Sequence, residues 1–253
     1  MNIFIEPKIS IIIPVLNNLK GLQKTIHSIK VQNFKDFEVW IVDGGSAIET
    51  QDYLNTLEKP FFYQSRVDKG IYDAMNKGIS LAKGEWLYFL GTGDFFNNET
   101  VLQEVSKYLS NNTYSIISGS IVYQGNKKPF VYSKSKMTKT PFWSFSMWIR
   151  NGLHHQGTFY KKVLFKDIKY PLKYKILSDY WLNLYLYKST ISCKIINTII
   201  ANCNSDGVSK AGSWKIYKEE IDLKTDLSSV LFSPFFYSIA YIKFLSRKTI
   251  NDT

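Results

Sequence analysis

Cysteine is nearly absent: the 253-residue chain has two, Cys193 and Cys203. Neither has zinc-ligand spacing or a partner cluster, so no structural metal knot is expected, and the pair fits a reducing cytoplasm. No stretch of about 18 uninterrupted apolar residues occurs, which argues against a membrane-spanning helix. The opening MNIFIEPKIS has no basic segment followed by an apolar core, so no signal peptide is expected. A G-x-G-x-x-G after the first apolar run and a G-x-x-x-x-G-K-[ST] anywhere are both missing. Dinucleotide and P-loop readings therefore lose their main support.

What is present is a foldable chain with an uneven charge. It is 45% hydrophobic, enough for a sizeable core and against disorder. Aromatics reach 16%, which suggests a surface facing carbohydrate, bases or a membrane. Residues 1–100 carry 10 basic against 12 acidic side chains, and residues 101–253 carry 22 against 9. The basic partner surface is thus expected in the second half, toward nucleic acid, anionic lipid or a phosphorylated acceptor.

The order of elements reads as β-α-β-α-β-α-β over the first ~95 residues, the pattern of a doubly wound α/β sheet. Ile9–Val15 is a β-branched run closed at Pro14-Val15 and followed by the loop Leu16-Asn17-Asn18. Leu22, Ile26 and Ile29 share a helix face. Phe37–Val42 and Phe61–Gln64 supply further strands. Ile71, Ala74, Met75, Gly78, Ile79 and Ala82 mark a second amphipathic helix, stopped at Lys83-Gly84, before the short strand Glu85–Leu90. Then come a helix (Thr100 to Leu109), a strand (Ser115 to Tyr123) and a turn at Gly125–Pro129. Residues 133–150 read as a long loop, His154–Tyr160 as a strand whose neighbouring histidines point to opposite faces, and Cys193–Ala201 as a strand.

Carboxylates stand at the strand ends, where open α/β sheets bind ligands. Asp43 follows the second strand and precedes Gly44-Gly45; it can accept from a base N–H or a ribose hydroxyl, or cap a helix. Asp94 ends Gly91-Thr92-Gly93-Asp94 after the short strand. Asp68-Lys69 opens the second helix as a charged turn that either meets a nucleotide or faces water. Asp73 and Asn76 either line the site or face water, and Tyr72 is given a structural role. Ser178 is placed to cap a helix running through Tyr187, with Asp179 in its first turn.

Taken together, ISIIIPVLNN, FEVWIVDGGS, DKGIYDAMNKGISLAKGEWLYFLGTGD, LHHQGTFY and ILSDYWLNLYL resemble the inverting glycosyltransferases of family two, which have the Rossmann-like GT-A fold. The ordered set covers about residues 8–187, and the DKGIYDAMNKG run resembles a bacterial subgroup that builds polysaccharides and O-antigen or colanic-acid-type units. The resemblance implies a nucleotide-sugar donor, a divalent cation (Mn²⁺ or Mg²⁺) and a glycan or polyprenyl-diphosphate-linked acceptor. It implies donor contacts from Pro14, Asn17, Asp43, Asp68, Lys69 and Asp94, sugar contacts from His155 and Gln156, metal ligation by Asp94 and a general base at Asp179. The family's metal motif usually has an acid two residues before its last Asp; here that position is Thr92. A non-catalytic scaffold of the same fold is the alternative this departure suggests.

The expected organisation is a GT-A catalytic domain over 1–210 and a helical extension over 211–253. Within the domain, 8–95 form the donor half and 96–210 the acceptor half. The turn Asp206-Gly207-Val208-Ser209 is similar to one in the same subgroup and either covers the donor diphosphate or is a plain loop. The tail from Ser228 to Lys248 is aromatic, broken by Pro234 and basic at its end. It suits an interfacial helix on the anionic inner leaflet of the cytoplasmic membrane, or else a helix docked on the domain or an oligomer contact. No basic, aromatic-interleaved patch on an RNA-binding fold is visible, so no nucleic-acid partner is expected.

Overall fold

A computed structural model describes residues 6–125, 129–130, 133, 135–205, 207 and 212–251. The chain runs β1 (Ile9–Val15), α1 (Leu19–Lys30), β2 (Phe37–Asp43), α2 (Ile48–Asn55), β3 (Phe61–Ser65), α3 (Ile71–Leu81), β4 (Trp86–Phe89) and β5 (Phe95–Phe96). It continues α4 (Val101–Leu109), β6 (Ile116–Gln124), β7 (Thr138–Lys139), β8 (Thr158–Lys161), α5 (Ser178–Lys188), β9 (Cys193–Asn204), α6 (Trp214–Leu227) and α7 (Ser233–Asn251). One mixed sheet has the order β3-β2-β1-β4-β8-β6-β9-β5, with β7 on β6. β3, β2, β1 and β4 are parallel, and β8 runs antiparallel to both β4 and β6. The first half is thus a doubly wound nucleotide-type sheet, and the reversal at β8 joins it to the second half.

Side-chain alternation gives each strand two buried faces. Ile9, Ile11, Ile13, Trp86 and Tyr88 pack with Leu22, Ile26 and Ile29 of α1 and Val101, Val105 and Leu109 of α4. Ile12, Leu87 and Phe89 face the other way, onto Tyr72, Met75 and Ile79 of α3 and Leu182 and Leu186 of α5. Pairing of Val15 with Asp43 and of Asp43 with Ser65 levels the carboxyl ends of β1, β2 and β3. The loops that follow them open on one edge, and Thr92 ties the loop after β4 to the same edge through Oγ1–H to the Pro14 carbonyl (2.5 Å).

Several local expectations change. Ile71 begins the apolar series of α3 but sits in its first turn and is 45% exposed. The 133–150 segment is not all loop: β7 pairs with β6, and Phe145–Trp148 form a 3-10 turn. His154 is extended, but the strand does not continue from it, because His155–Gly157 is a 3-10 turn ahead of β8. The two imidazoles consequently stack, with centroids 5.2 Å apart, instead of pointing to opposite faces. Ser178 does not cap α5. Leu177 is the N-cap residue, and the Ser178 hydroxyl donates to the Pro171 carbonyl (3.0 Å). Of the two expected turns, residues 126–128 and Asp206, Val208 and Ser209 lie outside the described residues.

Gly78 fixes how closely α3 lies on β1. A Cβ there would fall 2.4 Å from Ile12 Cγ2 in the core. Ala gains up to ~1 kcal/mol of helix propensity over Gly, but overpacking a tight core costs ~1–3 kcal/mol. Gly78→Ala is therefore expected to lower stability by about 1 kcal/mol, read as a lower urea midpoint. An unchanged or raised midpoint would show that α3 can retreat freely.

Candidate active site

The loop after β2 is held from within. Asp43 is fully buried. Its carboxylate accepts from the Ser46 N–H (3.1 Å) and from the Ser46 and Ser65 hydroxyls. Asn17, at φ 49°, donates its N–H to Ser46 Oγ and accepts at Oδ1 from the Ala47 N–H, both 2.8 Å. These residues shape the edge between β1 and β2. Asp68 lies over that loop, so close that a Cβ on Gly44 would be 2.6 Å from its Oδ2, and its Oδ1 accepts from the Gly70 N–H (2.8 Å). Lys69 is exposed, and its N–H donates to Asp73 Oδ2 (3.0 Å), which also meets Lys77. Asn76 is partly buried: it exchanges two 2.9 Å hydrogen bonds with the Tyr170 backbone and fixes that segment to α3.

Asp94 is nearly buried, 8% exposed, on a loop of two glycines. Gly91 has no room for a side chain, because its Cβ would lie 2.6 Å from Asp94 Oδ2. Gly93 takes φ 98°, which favours glycine. Thr25 of α1 braces the turn, accepting from the Gly93 N–H (2.9 Å) and donating to the Asp94 carbonyl (2.8 Å). The Asp94 carboxylate accepts at Oδ1 from the Asn204 N–H (2.9 Å) and at Oδ2 from Gln156 Nε2 (2.6 Å). Burial raises its carboxyl above the ordinary value despite these two donors.

Asp179 stands in the first turn of α5, its side chain 13% exposed. Oδ1 faces the Tyr72 hydroxyl at 3.0 Å, while Oδ2 faces Asn151 Nδ2 at 3.3 Å and His155 Nδ1 at 3.5 Å. Burial alone would raise this carboxyl, but His155, Tyr72 and Lys139 together hold it below the ordinary carboxylate value. Two carboxylates of the same type are thus pushed in opposite directions by their surroundings, a pattern found at functional sites.

His155 and Gln156 connect the two. The first reaches Asp179 and the second reaches Asp94. His155 Nε2 and Gln156 Oε1 are buried with no hydrogen-bond partner among the described residues, orphaned polar atoms of the kind that call for an explanation. Sequence reasoning missed Tyr72, Asn151 and Lys139 as neighbours of Asp179. Tyr72 lies inside the DKGIYDAMNKG run, which offered a signal; Asn151 and Lys139 lie in a segment without periodicity. Pro14 contributes its carbonyl to Thr92, at the position where a second acid was expected.

A parallel sheet with carboxylates at its strand ends, closed by a reversed strand and a second carboxylate-bearing helix, is an architecture of the GT-A type. The family model for glycosyl transferase family 2 matches residues 10–169, and the chain belongs to that family. It is accordingly a nucleotide-sugar-dependent glycosyltransferase. A relative from Mycobacterium bovis, a PGL/p-HBAD biosynthesis glycosyltransferase, is 32% identical over 213 residues, covering 79% of this chain and 78% of its own. A Campylobacter jejuni GalNAc(5)-diNAcBac-PP-undecaprenol beta-1,3-glucosyltransferase is 33% identical over 93 residues, 35% of this chain and 30% of its own. Among solved structures, Staphylococcus aureus TarS 1-349 in complex with UDP-GlcNAc aligns with TM-score 0.67 and 17% identity over 95% of this chain and 72% of its own. Mannosyltransferase PcManGT from Pyrobaculum calidifontis, in complex with GDP-Man and Mn²⁺, aligns with TM-score 0.62 and 14% identity over 98% and 74%.

The entry to α5 is held by α6. Glu219 Oε1 accepts from the Ile176 N–H (2.7 Å) and the Leu177 N–H (2.6 Å), directly ahead of Asp179. Glu219→Ala is expected to cost about 1–2 kcal/mol, the size of a lost helix cap, in urea unfolding. Glu219→Gln, which keeps an acceptor oxygen, should recover more than half. Equal stability of all three proteins would remove Glu219 from this role.

Proposed function

We propose that the chain is an inverting glycosyltransferase that moves a sugar from a nucleotide-sugar donor to a hydroxyl of a glycan or polyprenyl-diphosphate-linked acceptor, in bacterial surface polysaccharide synthesis of the O-antigen type. The observation that carries this reading is the pair of carboxylates, Asp94 and Asp179, each held by one side chain of His155-Gln156. Pro14, Asn17, Asp43, Asp68 and Lys69 build the donor side, Asn17 and Asp43 by shaping its wall. Asp179 is the general base. As the acceptor oxygen attacks the anomeric carbon in line, its proton passes to a carboxylate oxygen of Asp179. The bond from that carbon to the diphosphate breaks, and the nucleoside diphosphate leaves with the electron pair.

The donor set fits a hard divalent cation. Each Asp94 oxygen accepts one hydrogen bond and keeps a lone pair, and Gln156 Oε1 is an oxygen without a donor. No cluster of three or more His, Cys, Asp or Glu side chains exists among the described residues, so diphosphate oxygens and water would complete the shell. Asp94, with Gln156 beside it, would hold the ion. When bound, Mn²⁺ or Mg²⁺ supplies positive charge to the leaving diphosphate.

The extension supports peripheral attachment to the cytoplasmic face of the membrane. No helix among the described residues is long and apolar enough to cross a membrane. Yet Val230, Leu231, Phe235, Ile242 and Leu245 are all exposed, and no acidic residue occurs between Asp226 and Asp252. An apolar face free of acids suits an anionic lipid surface.

Asp179→Asn is expected to lower transfer by on the order of 10²–10⁴-fold while donor binding persists, with a lipid-linked acceptor screened against UDP-, GDP- and dTDP-sugars. Full transfer by the variant would eliminate Asp179 as the base. Because the Asp179 carboxyl is held low, its base form is present through neutral pH. The base itself should be lost only as pH falls below the ordinary carboxylate value of 3.8, whereas Asp94, raised by burial, loses its charge and its hold on the donor at a higher pH. An acid limb near pH 6 in transfer, with donor binding unchanged, would contradict the assignment. EDTA should abolish donor binding and Mn²⁺ restore it, with Asp94→Ala failing to respond; EDTA-resistant transfer would remove the cation.

A further inference from the structure

α5 presents Asp179 on one side and a different set of side chains on another. A side chain two positions on from Asp179 is turned about 200° round the helix. Trp181, Tyr185 and Lys188, at i, i+4 and i+7, share that second side. Leu182 and Leu186 meanwhile pack into the core with Leu87 and Phe89 of β4. A cavity of about 600 Å³ opens at the Trp181 stripe and shares no residue with the cavity beside Asp179 and His155. α5 lines it through Trp181, Tyr185 and Lys188, with Ser189 after the helix, Lys173 ahead of it and Asp226 from the end of α6. Its volume is in the range of small-molecule sites, roughly 300–1,000 Å³.

The Trp181 and Tyr185 rings stack, with centroids 5.2 Å apart and planes 18° from parallel. Both side chains pack against the core in part, yet the indole N–H and the phenol hydroxyl are neither buried nor hydrogen-bonded among the described residues. The polar rim is also only half engaged. Asp226 Oδ2 accepts from the Lys173 ammonium and the Tyr174 hydroxyl, while Oδ1 accepts from no described residue. The Lys188 and Ser189 side chains are exposed and have no partner among the described residues. The cavity therefore offers a pair of aromatic rings ringed by open donors and an open acceptor.

That combination selects among ligands. A pyranose has an apolar C–H face, which suits the negative face of an aromatic ring, and a rim of hydroxyls. Each hydroxyl both donates and accepts, so it can meet Asp226 Oδ1 as well as Lys188, Ser189 and the indole N–H. An anionic lipid surface fits less well, because the open Asp226 oxygen carries the same sign. We propose that this side of α5 is a glycan-binding site separate from the transfer site, which seats a sugar unit of an oligosaccharide on Trp181 and Tyr185 and holds its hydroxyls at Asp226, Lys188 and Ser189. Naming that oligosaccharide as the chain under construction rests on the proposed function; the binding site itself rests on the cavity.

The probes are laminarihexaose, maltohexaose and chitohexaose, titrated calorimetrically into the full chain without nucleotide or metal. At least one should bind saturably, with a dissociation constant at or below about 1 mM. Trp181→Ala should weaken it about tenfold, as loss of an aromatic anchor does. Tyr185→Leu, which keeps an apolar side chain for the core, and Lys188→Ala, which has no partner to lose, should each weaken it about threefold; these two decide the matter where Trp181→Ala fails to fold. Asp179→Asn should bind as the wild type does. Absence of saturable binding by all three hexasaccharides, or affinities unchanged in the Tyr185 and Lys188 variants, would overturn the proposal. Binding lost in Asp179→Asn but kept in Lys188→Ala would place the glycan at the transfer site and overturn it too. Vesicles of phosphatidylglycerol and phosphatidylethanolamine test the rival occupant: cosedimentation lost in Tyr185→Leu and Lys188→Ala, with hexasaccharide affinity unchanged, would make this face a lipid contact. UDP titrated with Mn²⁺ reports the transfer site separately. A wild type that binds hexasaccharide with these sensitivities but binds no nucleoside diphosphate would count against the glycosyltransferase mechanism and leave the glycan site standing.

Discussion

One dipeptide holds the site together. His155 and Gln156 leave a 3-10 turn on diverging sides, and each ends on a different buried carboxylate. Asp94 comes from the end of β4, in the parallel half of the sheet, and Asp179 from α5, more than eighty residues later. Their separation is therefore set by the turn that precedes β8, the strand at which the sheet reverses direction. Charge-assisted hydrogen bonds of this kind are worth more than neutral ones because the carboxylates are shielded from water. The same shielding makes a misplaced donor expensive, which explains why Gly91 has no space for a side chain and why Thr25 braces the Asp94 turn from α1.

The C-terminal helices are structurally part of this arrangement. Glu219 of α6 holds the backbone entering α5. One turn of chain away, Lys224 and Lys243 both donate to the Ile149 carbonyl and both pair with Glu220, joining α6, α7 and the segment that carries Asn151. Lys224 is 1% exposed, and burial pushes its ammonium down to about 8. A buried cluster of this sort is weak evidence for net stability, since desolvation offsets much of the attraction. Its effect is geometric: donation from both lysines to the Ile149 carbonyl ties that segment to α6 and α7 together. The residues expected to form a helical extension thus hold the segment that carries Asn151, a neighbour of Asp179.

Much of the fold was legible because apolar periodicity survives in single segments. β1, β2, α1 and α3 follow from β-branched runs and three-to-four spacing, and all are buried where the pattern puts them, except the first turn of α3. Asp94 and Asp179 could be singled out because each stands at an element boundary. What could not be read was anything that depends on a backbone leaving regular geometry. The histidine pair was assigned to a strand because HHQGTFY runs into one, and nothing in composition distinguishes a 3-10 turn from the first residues of β8. Ser178 was assigned as a cap from residue type, whereas the entry to α5 is served by a glutamate 41 positions on. Lys139 and Asn151 reach Asp179's surroundings through a segment whose order comes from pairing with β6 and from the α6–α7 contacts, both long-range.

The Tyr72 hydroxyl has one hydrogen and two oxygens within reach, the Ile176 carbonyl at 2.7 Å and Asp179 Oδ1 at 3.0 Å. While Asp179 is ionised, that hydrogen is shared between them. Once the carboxyl has gained a proton, its new O–H needs somewhere to donate, and the Tyr72 oxygen has the lone pair to receive it. A rotation about one C–O bond turns the phenol wholly toward Ile176 and reverses the polarity of the Asp179 contact, with no heavy atom displaced. With Asp179 as the proposed base, this gives the site a rest position for the product state, and release of the proton back to water restores the starting orientation by the same rotation.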